Sequence, residues 1–217
     1  IRSVFNEDEI NPVVSLIGPS HAEEVVLRIL TAVCSVSLDE DTAKDVQKLF
    51  SNGYFRVYTT TDEIGAEYGA AYKNVIAVAS GIIAGLKYGD NTRAALITRG
   101  LHEMSLYGVA KGGHRDTYFG LTGIGDLIVT CSSVHSRNFQ AGYEIGKCNR
   151  AIGFMTHNKK TCEGVRTCKV IHEDVKNNNY GIEVPLVDAV YRVLYENAIP
   201  SDVIDELMSR VLKSEQI

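Results

Sequence analysis

The chain has 217 residues, 45% of them hydrophobic, and a formal net charge of −5, which suits one large globular unit or two smaller ones with their own cores. Its basic residues are scattered and no apolar run reaches the roughly 18 to 20 residues that span a bilayer, so we expect neither nucleic-acid binding nor membrane insertion. Five cysteines without CxxC spacing indicate neither a disulfide framework nor a zinc site, and a reducing, cytoplasmic setting is the default expectation.

The first 60 residues predict alternating strands and helices. Apolar and β-branched runs predict strands at 13–17, 32–37 and 55–58, and helical spacing of apolar residues predicts helices at 22–30 and 41–50. The resulting β-α-β-α-β order has too few strands for a complete doubly wound sheet, but it is consistent with the last portion of one.

From residue 61 onward the pattern is helical. Helices are predicted at 62–88, 92–110, 138–145, 163–175, 185–196 and 201–212, with capping residues at Asp90-Asn91, Ser136 and Ser201. The predicted fold class is therefore an α/β remnant, the end of a Rossmann-like sheet at 1–60, followed by an all-helical domain at 61–217.

Lys73 lies on the predicted helix 62–88, which is aliphatic on one face. The line of residues around the lysine is otherwise small: Ala66, Ala70, Ala77, Ser80 and Ala84. A lone amine in a groove of small residues leaves room for a ligand to approach it. The alternative is a lysine that extends its ammonium group into solvent near the start of the helix.

The segment 18–23, Gly-Pro-Ser-His-Ala-Glu, falls where a predicted strand ends and a helix begins. Open α/β sheets bind ligands at such positions. Ser20 and Glu23 also fit a capping box, which stabilises a helix whether or not a ligand binds. Both interpretations stay open at the level of sequence.

The segment 120–127 places three glycines around Asp126. Glycines at this density permit a close approach of the backbone, and a carboxylate among apolar neighbours is costly unless it has a partner. Lys73 is the candidate partner. The alternative is a glycine-rich helix contact in which Asp126 serves as a helix cap.

Ser136, Arg137 and Asn138 open a predicted helix. A hydroxyl, a guanidinium, an amide and free backbone N–H groups then converge at the positive end of a helix dipole, which suits an anion such as phosphate. The alternative is a helix cap followed by a solvated arginine. Glu163, near the start of a later helix, is also a residue that the helix dipole would favour on its own.

Taken in order, these motifs resemble NAD(P)-dependent glycerol-3-phosphate dehydrogenase of the bacterial type. The matching stretches are GPSHAEE, KNVIAVASGIIAGLKYGDNTRAALITRGLHEM, GLTGIGDLIVTC, SRN and Glu163-Gly164, and the resemblance extends from about Val13 to the C-terminus. It implies NAD or NADP as cofactor and the interconversion of sn-glycerol 3-phosphate and dihydroxyacetone phosphate, which supplies phospholipid synthesis. A homodimer is a candidate assembly.

The resemblance also assigns roles to residues. Lys73 would be the proton donor and acceptor. The sn-glycerol 3-phosphate site would consist of Gly18, Ser20, Lys73, Asp126, Ser136, Arg137 and Asn138, and the nucleotide would contact Ala22, Arg137, Thr161 and Glu163. The chain departs from the family at His21, where phenylalanine is usual, and at Thr161, where a small aliphatic residue is common.

The family begins with a strand, a glycine-rich turn and a helix that hold the pyrophosphate, and it has a second lysine near the substrate. None of these lies in the 217 residues, so we expect the chain to correspond to the C-terminal two thirds of the enzyme and to be inactive alone. Two other classes stay open: a dehydrogenase of another small hydroxy acid, which would not need the phosphate site, and a non-catalytic module for assembly or regulation.

Overall fold

The computed structural model describes residues 4, 12–157, 162–212 and 214–215. Its first part contains β1 (Ser15–Ile17), α1 (Ala22–Val25), β2 (Thr31–Val36), α2 (Glu40–Phe50) and β3 (Phe55–Thr60). The part that follows contains α3 (Glu63–Gly85), α4 (Asp90–Ala110), α5 (Asp126–Ser132), α6 (Arg137–Cys148), α7 (Ile152–His157), α8 (Glu163–Asn177), α9 (Pro185–Tyr195) and α10 (Pro200–Met208). The predicted sequence of an α/β segment and a helical region is confirmed.

The three strands form one sheet in the order β1-β2-β3. β2 and β3 are parallel, as a doubly wound sheet requires, but β1 runs antiparallel to β2, with Ile17 opposite Cys34. Parallel neighbours need a long crossover connection. With only four residues, α1 is too short to carry the chain back along the sheet for such a crossover.

The predicted helix at 22–30 is wrong beyond Val25. Arg28 adopts a left-handed conformation with φ of 59°, and Val26, Leu27 and Leu30 are exposed. Helices of this length are stabilised mainly by packing of an apolar face. Because nothing in the described structure covers these side chains, their helical spacing does not produce a helix.

α3 is the central helix of the protein. Asp62 caps its N-terminus by accepting a hydrogen bond from the Gly65 N–H group at 2.9 Å. Its apolar residues are buried in a core that includes side chains of α4, α6, α8 and α9. None of the helices in the described ranges combines the length and hydropathy that a bilayer crossing requires.

α3 and α6 cross with their backbones in direct contact. A Cβ atom on Gly142 would overlap the carbonyl oxygen of Val78, and one on Gly81 would overlap that of Phe139. Each helix contributes two glycines, four residues apart and therefore on one face: Gly81, Gly85, Gly142 and Gly146. Only glycine permits this approach, which fixes the position of the start of α6 relative to α3.

A buried carboxyl group joins α4, α9 and α3. Glu103 is 3% exposed and accepts hydrogen bonds from the N–H groups of Leu186 at 2.8 Å and Val187 at 3.4 Å. It also accepts one from the hydroxyl group of Tyr72 at 3.2 Å. Glu103 therefore caps the first turn of α9 and holds the residue that precedes Lys73. Burial raises the pKa of its carboxyl group to about 8.

One of the three predicted helix caps is confirmed. The Ser136 hydroxyl accepts a hydrogen bond from the N–H group of Phe139 at 3.3 Å. By contrast, α4 already begins at Asp90, behind Gly89, and α10 begins at Pro200, so that Ser201 lies inside the helix. Proline at the first helical position has the φ angle that a helix needs, and the amide of Asn149 binds both the N–H and the hydroxyl group of Ser201.

Replacing Gly142 by alanine should destabilise the protein strongly. The new methyl group would overlap the backbone of α3, which cannot move away as a flexible side chain would, so we expect a loss of about 3 kcal/mol or more in the free energy of unfolding. Urea denaturation measures this loss. Gly53→Ala is the matched control, because no described heavy atom lies within 4 Å of its added Cβ atom. Equal stability of the two variants would contradict the close crossing.

Replacing Glu103 by glutamine should remove a pH dependence of stability. The pKa of Glu103 is about 8 in the folded chain, above its ordinary value of 4.5, so the folded state binds the proton more tightly. The free energy of unfolding should therefore fall as the pH rises from about 4.5 to about 8, and the glutamine variant should lack this component.

Urea denaturation at several pH values checks this expectation. Glu67→Gln, at an exposed position on α3, is the control and should keep the slope of the parent protein. An unchanged slope in Glu103→Gln would mean that the Glu103 carboxyl group is ionised throughout this pH range.

Candidate active site

Lys73 and Asp126 form a largely buried ion pair. Lys73 Nζ lies 2.5 Å from Asp126 Oδ2, and the two side chains are 19% and 5% exposed. The predicted pairing is confirmed, and the alternative of a lysine that extends into solvent is wrong. Burial raises the pKa of the Asp126 carboxyl group, and the positive charge of Lys73 opposes that rise.

A π-helical turn at Leu121–Gly125 delivers Asp126 to this position. Such turns are frequent at functional sites because they displace one residue from the regular helical path. Asp126 is the first residue of α5, and its side chain does not cap the helix, so the interpretation as a helix cap is wrong. The hydroxyl of Thr130 donates to the Asp126 main-chain oxygen at 2.6 Å and lies 3.4 Å from Oδ1.

The turn after β1 lies against the segment that precedes Asp126. Gly18 has a φ of 152°, which disfavours other residues, and a Cβ atom on it would lie 3.0 Å from Val33 Cα. A Cβ atom on Gly125 would lie 3.6 Å from Pro19 Cδ. The Ser20 hydroxyl donates to the Gly18 carbonyl oxygen at 3.1 Å. It is therefore engaged within the turn, and the helix has no side-chain cap, so the alternative of a capping box with Glu23 is wrong.

His21 follows in the same turn. Its ring contacts the ring of His135 edge to face, with 6.0 Å between ring centres. The Nε2 atom is buried and has no hydrogen-bond partner among the described residues. A positive charge on the ring would lower the pKa of Asp126. The turn that carries His21 packs against Gly125, the residue before Asp126.

Arg137 and Glu163 meet at the outer side of this region. Arg137 Nη2 lies 2.7 Å from Glu163 Oε1, and the side chains are 63% and 43% exposed. Two residues that the family resemblance assigns to the nucleotide are thus brought together. Ala22 is exposed at the start of α1, and Thr161 lies outside the described residues.

Asn138 connects three helices. Its Nδ2 donates to Asn74 Oδ1 at 2.9 Å, and its Oδ1 accepts from the N–H group of Gly164 at 2.9 Å and from the Cys162 thiol at 3.0 Å. Asn74 in turn donates to the Ala70 carbonyl oxygen at 3.2 Å. Asn138, which the resemblance assigns to the substrate, therefore also links α6 to the start of α8 and to Asn74, the residue after Lys73.

Sequence reasoning missed Thr130, Asn74 and Glu103 as parts of this arrangement. The signal for Asn74 was available, because it is an amide next to the lysine on an otherwise apolar helix. Thr130 lies four residues after Asp126, which places both on one face of a helix. Glu103 gave no local signal, because its partners lie on α3 and α9.

The chain is similar in sequence to one protein family and to curated members of it. The family model "NAD-dependent glycerol-3-phosphate dehydrogenase C-terminus" matches residues 62–205. Glycerol-3-phosphate dehydrogenase (NAD(P)+) of Clostridium botulinum is 48% identical over 99% of this chain and 64% of its own length. The protein of the same name from Lacticaseibacillus paracasei is 48% identical over 99% of this chain and 61% of its own length. The chain therefore spans somewhat over 60% of the curated relatives that it matches.

Two solved structures of glycerol-3-phosphate dehydrogenases have a similar fold. The crystal structure of glycerol-3-phosphate dehydrogenase from Coxiella burnetii has a TM-score of 0.84 and 37% identity, over 92% of this chain and 61% of that one. Glycerol-3-phosphate dehydrogenase of Plasmodium falciparum, at 23% identity and a TM-score of 0.85 over 98% of this chain and 60% of that one, shares the fold. Because the family model covers more than half of its residues, this chain belongs to the NAD-dependent glycerol-3-phosphate dehydrogenase family.

Proposed function

We propose that this chain carries the substrate site of an oxidoreductase that interconverts sn-glycerol 3-phosphate and dihydroxyacetone phosphate with NAD or NADP. The buried Lys73–Asp126 pair is the observation that carries the proposal. A largely buried amine is costly unless it is paired, and Asp126 supplies the partner. The next residue, Asn74, is bonded to Asn138 at the start of α6, which can hold an anion, so the amine lies close to a potential phosphate site. In the cell this reaction would supply glycerol 3-phosphate for phospholipid synthesis.

The proposed chemistry depends on proton transfer by Lys73. NAD or NADP, when bound, exchanges a hydride with the central carbon of the substrate. As the ketone is reduced, negative charge develops on its oxygen, and the Lys73 ammonium group donates the proton; in the reverse direction the amine accepts it. Asp126 holds the amine in place through their 2.5 Å contact and keeps it from turning away from the substrate.

The phosphate of the substrate would bind at the start of α6. Arg137 supplies the positive charge, Ser136 the capping hydroxyl, and Asn138 retains one amide proton that its described contacts do not use. The N–H groups of the first turn add the positive end of the helix dipole. Binding energy gained at this remote group orients the carbonyl carbon toward the cofactor.

The nucleotide would contact the outer side of the site. Arg137 and Glu163 present a cation and a carboxylate on an accessible surface, a pair that fits the phosphate and hydroxyl groups of a nucleotide. Ala22 and Thr161 complete the proposed contacts. Gly18 and Ser20, in the turn beside Asp126, would line the substrate on the opposite side.

Domain organisation and assembly belong to the same proposal. The last strand ends at Thr60 and the family match begins at residue 62, which supports a boundary between a nucleotide-binding part at 1–60 and a helical part at 61–217. We further propose that the protein acts in the cytoplasm, forms a homodimer and has no nucleic-acid partner. The scattered positive charge supports the last point.

Lys73→Ala should lower turnover in a dehydrogenase that contains this chain by a factor of about 10² to 10⁴, the usual contribution of a general acid or base. The substitution also leaves Asp126 buried without a cation, which costs stability. Steady-state kinetics should therefore be paired with Lys73→Met/Asp126→Asn, which removes both charges. Lys147→Ala, at an exposed position of α6, is the control. Turnover of folded Lys73→Ala within a few-fold of the parent would contradict the assignment.

Arg137→Ala should weaken binding of the phosphate end selectively. Loss of a charge-assisted hydrogen bond should raise KM for sn-glycerol 3-phosphate roughly 10- to 100-fold, and it should change the kinetics with glycerol far less. Stability should hardly change, because exposed ion pairs contribute little. Arg166→Ala, an exposed arginine on α8, is the matched control. Equal losses with both substrates would mean that Arg137 serves the nucleotide or the fold instead.

A further inference from the structure

Three buried side-chain polar atoms lack a hydrogen-bond partner among the described residues: His21 Nε2, Ser35 Oγ and Tyr118 Oη. Unpaired buried polar atoms are rare in folded proteins, and each requires an explanation. Ser35 lies on the middle strand of the sheet, and Tyr118 packs into the space left by Gly108. His21 differs from both because the turn that carries it packs against the proposed active site: a Cβ atom on Gly125, the residue before Asp126, would lie 3.6 Å from Pro19 Cδ.

The turn that carries His21 and one side of its ring both have defined contacts. The Ser20 hydroxyl bonds to the Gly18 carbonyl oxygen, which stabilises the turn that carries His21. On the other side, the His135 ring packs edge to face against it, and the N–H group of His135 is bonded to the Ser133 hydroxyl at 3.1 Å. The His135 ring therefore restricts the His21 ring on one side, while the Nε2 atom remains without a partner among the described residues.

The carboxyl oxygens of Asp126 already have contacts within the protein. Asp126 Oδ2 is occupied by Lys73, and Oδ1 lies near the Thr130 hydroxyl at 3.4 Å. A hydroxyl group both donates and accepts, and an imidazole nitrogen can do either, depending on its tautomer. A substrate hydroxyl between Asp126 and His21 would therefore satisfy the buried Nε2 atom and remain hydrogen-bonded itself.

We propose that His21 is a substrate-binding residue whose Nε2 atom forms a hydrogen bond with the hydroxyl end of sn-glycerol 3-phosphate, beside Asp126. This inference rests on the proposed function and extends it to a residue outside the set that the family resemblance assigns. Arg137 binds the phosphate end, and His21 recognises the opposite end of the same molecule. A phenylalanine at this position would keep the ring packing and lose the bond.

The direct test is a magnetic-resonance titration of the chain with isotope-labelled histidine side chains. Saturating sn-glycerol 3-phosphate should shift the Nε2 resonance of His21. It should leave His102 unchanged, because His102 lines a separate cavity between α4 and α10. Inorganic phosphate should leave the Nε2 resonance of His21 in place. An equal shift with inorganic phosphate would overturn the assignment to the hydroxyl end.

Two variants provide an independent test in a dehydrogenase that contains this chain. His21→Phe should raise KM for sn-glycerol 3-phosphate roughly 10-fold, as expected for the loss of one hydrogen bond in a closed site, with a smaller change in kcat. His21→Gln should restore most of the affinity, because its amide nitrogen reaches the position of Nε2. Circular dichroism of both variants checks the fold, and the titration of the parent chain decides if His21→Phe does not fold.

The outcomes separate the two proposals. If the dehydrogenase that contains this chain binds and oxidises sn-glycerol 3-phosphate, but Nε2 does not shift and His21→Phe keeps the parental KM, His21 is not a substrate ligand and the proposed function stands. If that dehydrogenase neither binds nor oxidises sn-glycerol 3-phosphate, the proposed function fails and the role of His21 fails with it.

Discussion

The backbone contact between α3 and α6 is the constraint on which the rest of the structure depends. No side chain separates the two helices where their glycines meet, so main-chain geometry alone sets their distance. Lys73 lies about two turns before the crossing on α3, and Ser136 to Asn138 lie just before it on α6. The proposed proton donor and the proposed phosphate site therefore keep one fixed separation, as precise orientation of a small phosphorylated substrate requires.

Polar contacts then hold the residues around Lys73 against the neighbouring helices. The Lys73–Asp126 pair joins α3 to α5, and the Asn74–Asn138 bond joins α3 to α6 and, through Gly164, to α8. On the far side of α3, Glu103 holds Tyr72 and the first turn of α9. Buried polar groups are costly unless satisfied, so these bonds disfavour alternative helix arrangements that an apolar core alone would tolerate. The lysine of the proposed site is thus held by Asp126, and the residues on either side of it, Tyr72 and Asn74, are held by Glu103 and Asn138.

Local signals explain which parts of this arrangement the sequence predicts. The length of α3, the Ser136 cap and the proline at the start of α9 depend on residues close in the chain, and they were predictable. Lys73 with Asp126 was predictable because a buried charge needs a partner and few candidates exist. The antiparallel β1, the early end of α1 and the bonds of Glu103 depend on contacts between distant segments, which periodicity does not encode. Ser20 shows the same limit locally. The sequence leaves a helix cap and a ligand site open for it, and in the structure its hydroxyl donates to the Gly18 carbonyl oxygen instead of capping the helix.

In the proposed site, Glu163 occupies the guanidinium of Arg137 that the phosphate of the substrate would bind. Without substrate, the carboxylate of Glu163 neutralises the guanidinium and holds it near the start of α6, so less side-chain freedom is lost when phosphate arrives. A phosphate group that takes over Arg137 would release Glu163, whose acceptor oxygens would then be available to donor groups such as the hydroxyls of a nucleotide. Binding of phosphate at Arg137 would in this way make Glu163 available to the nucleotide, because Arg137 exchanges one partner for another.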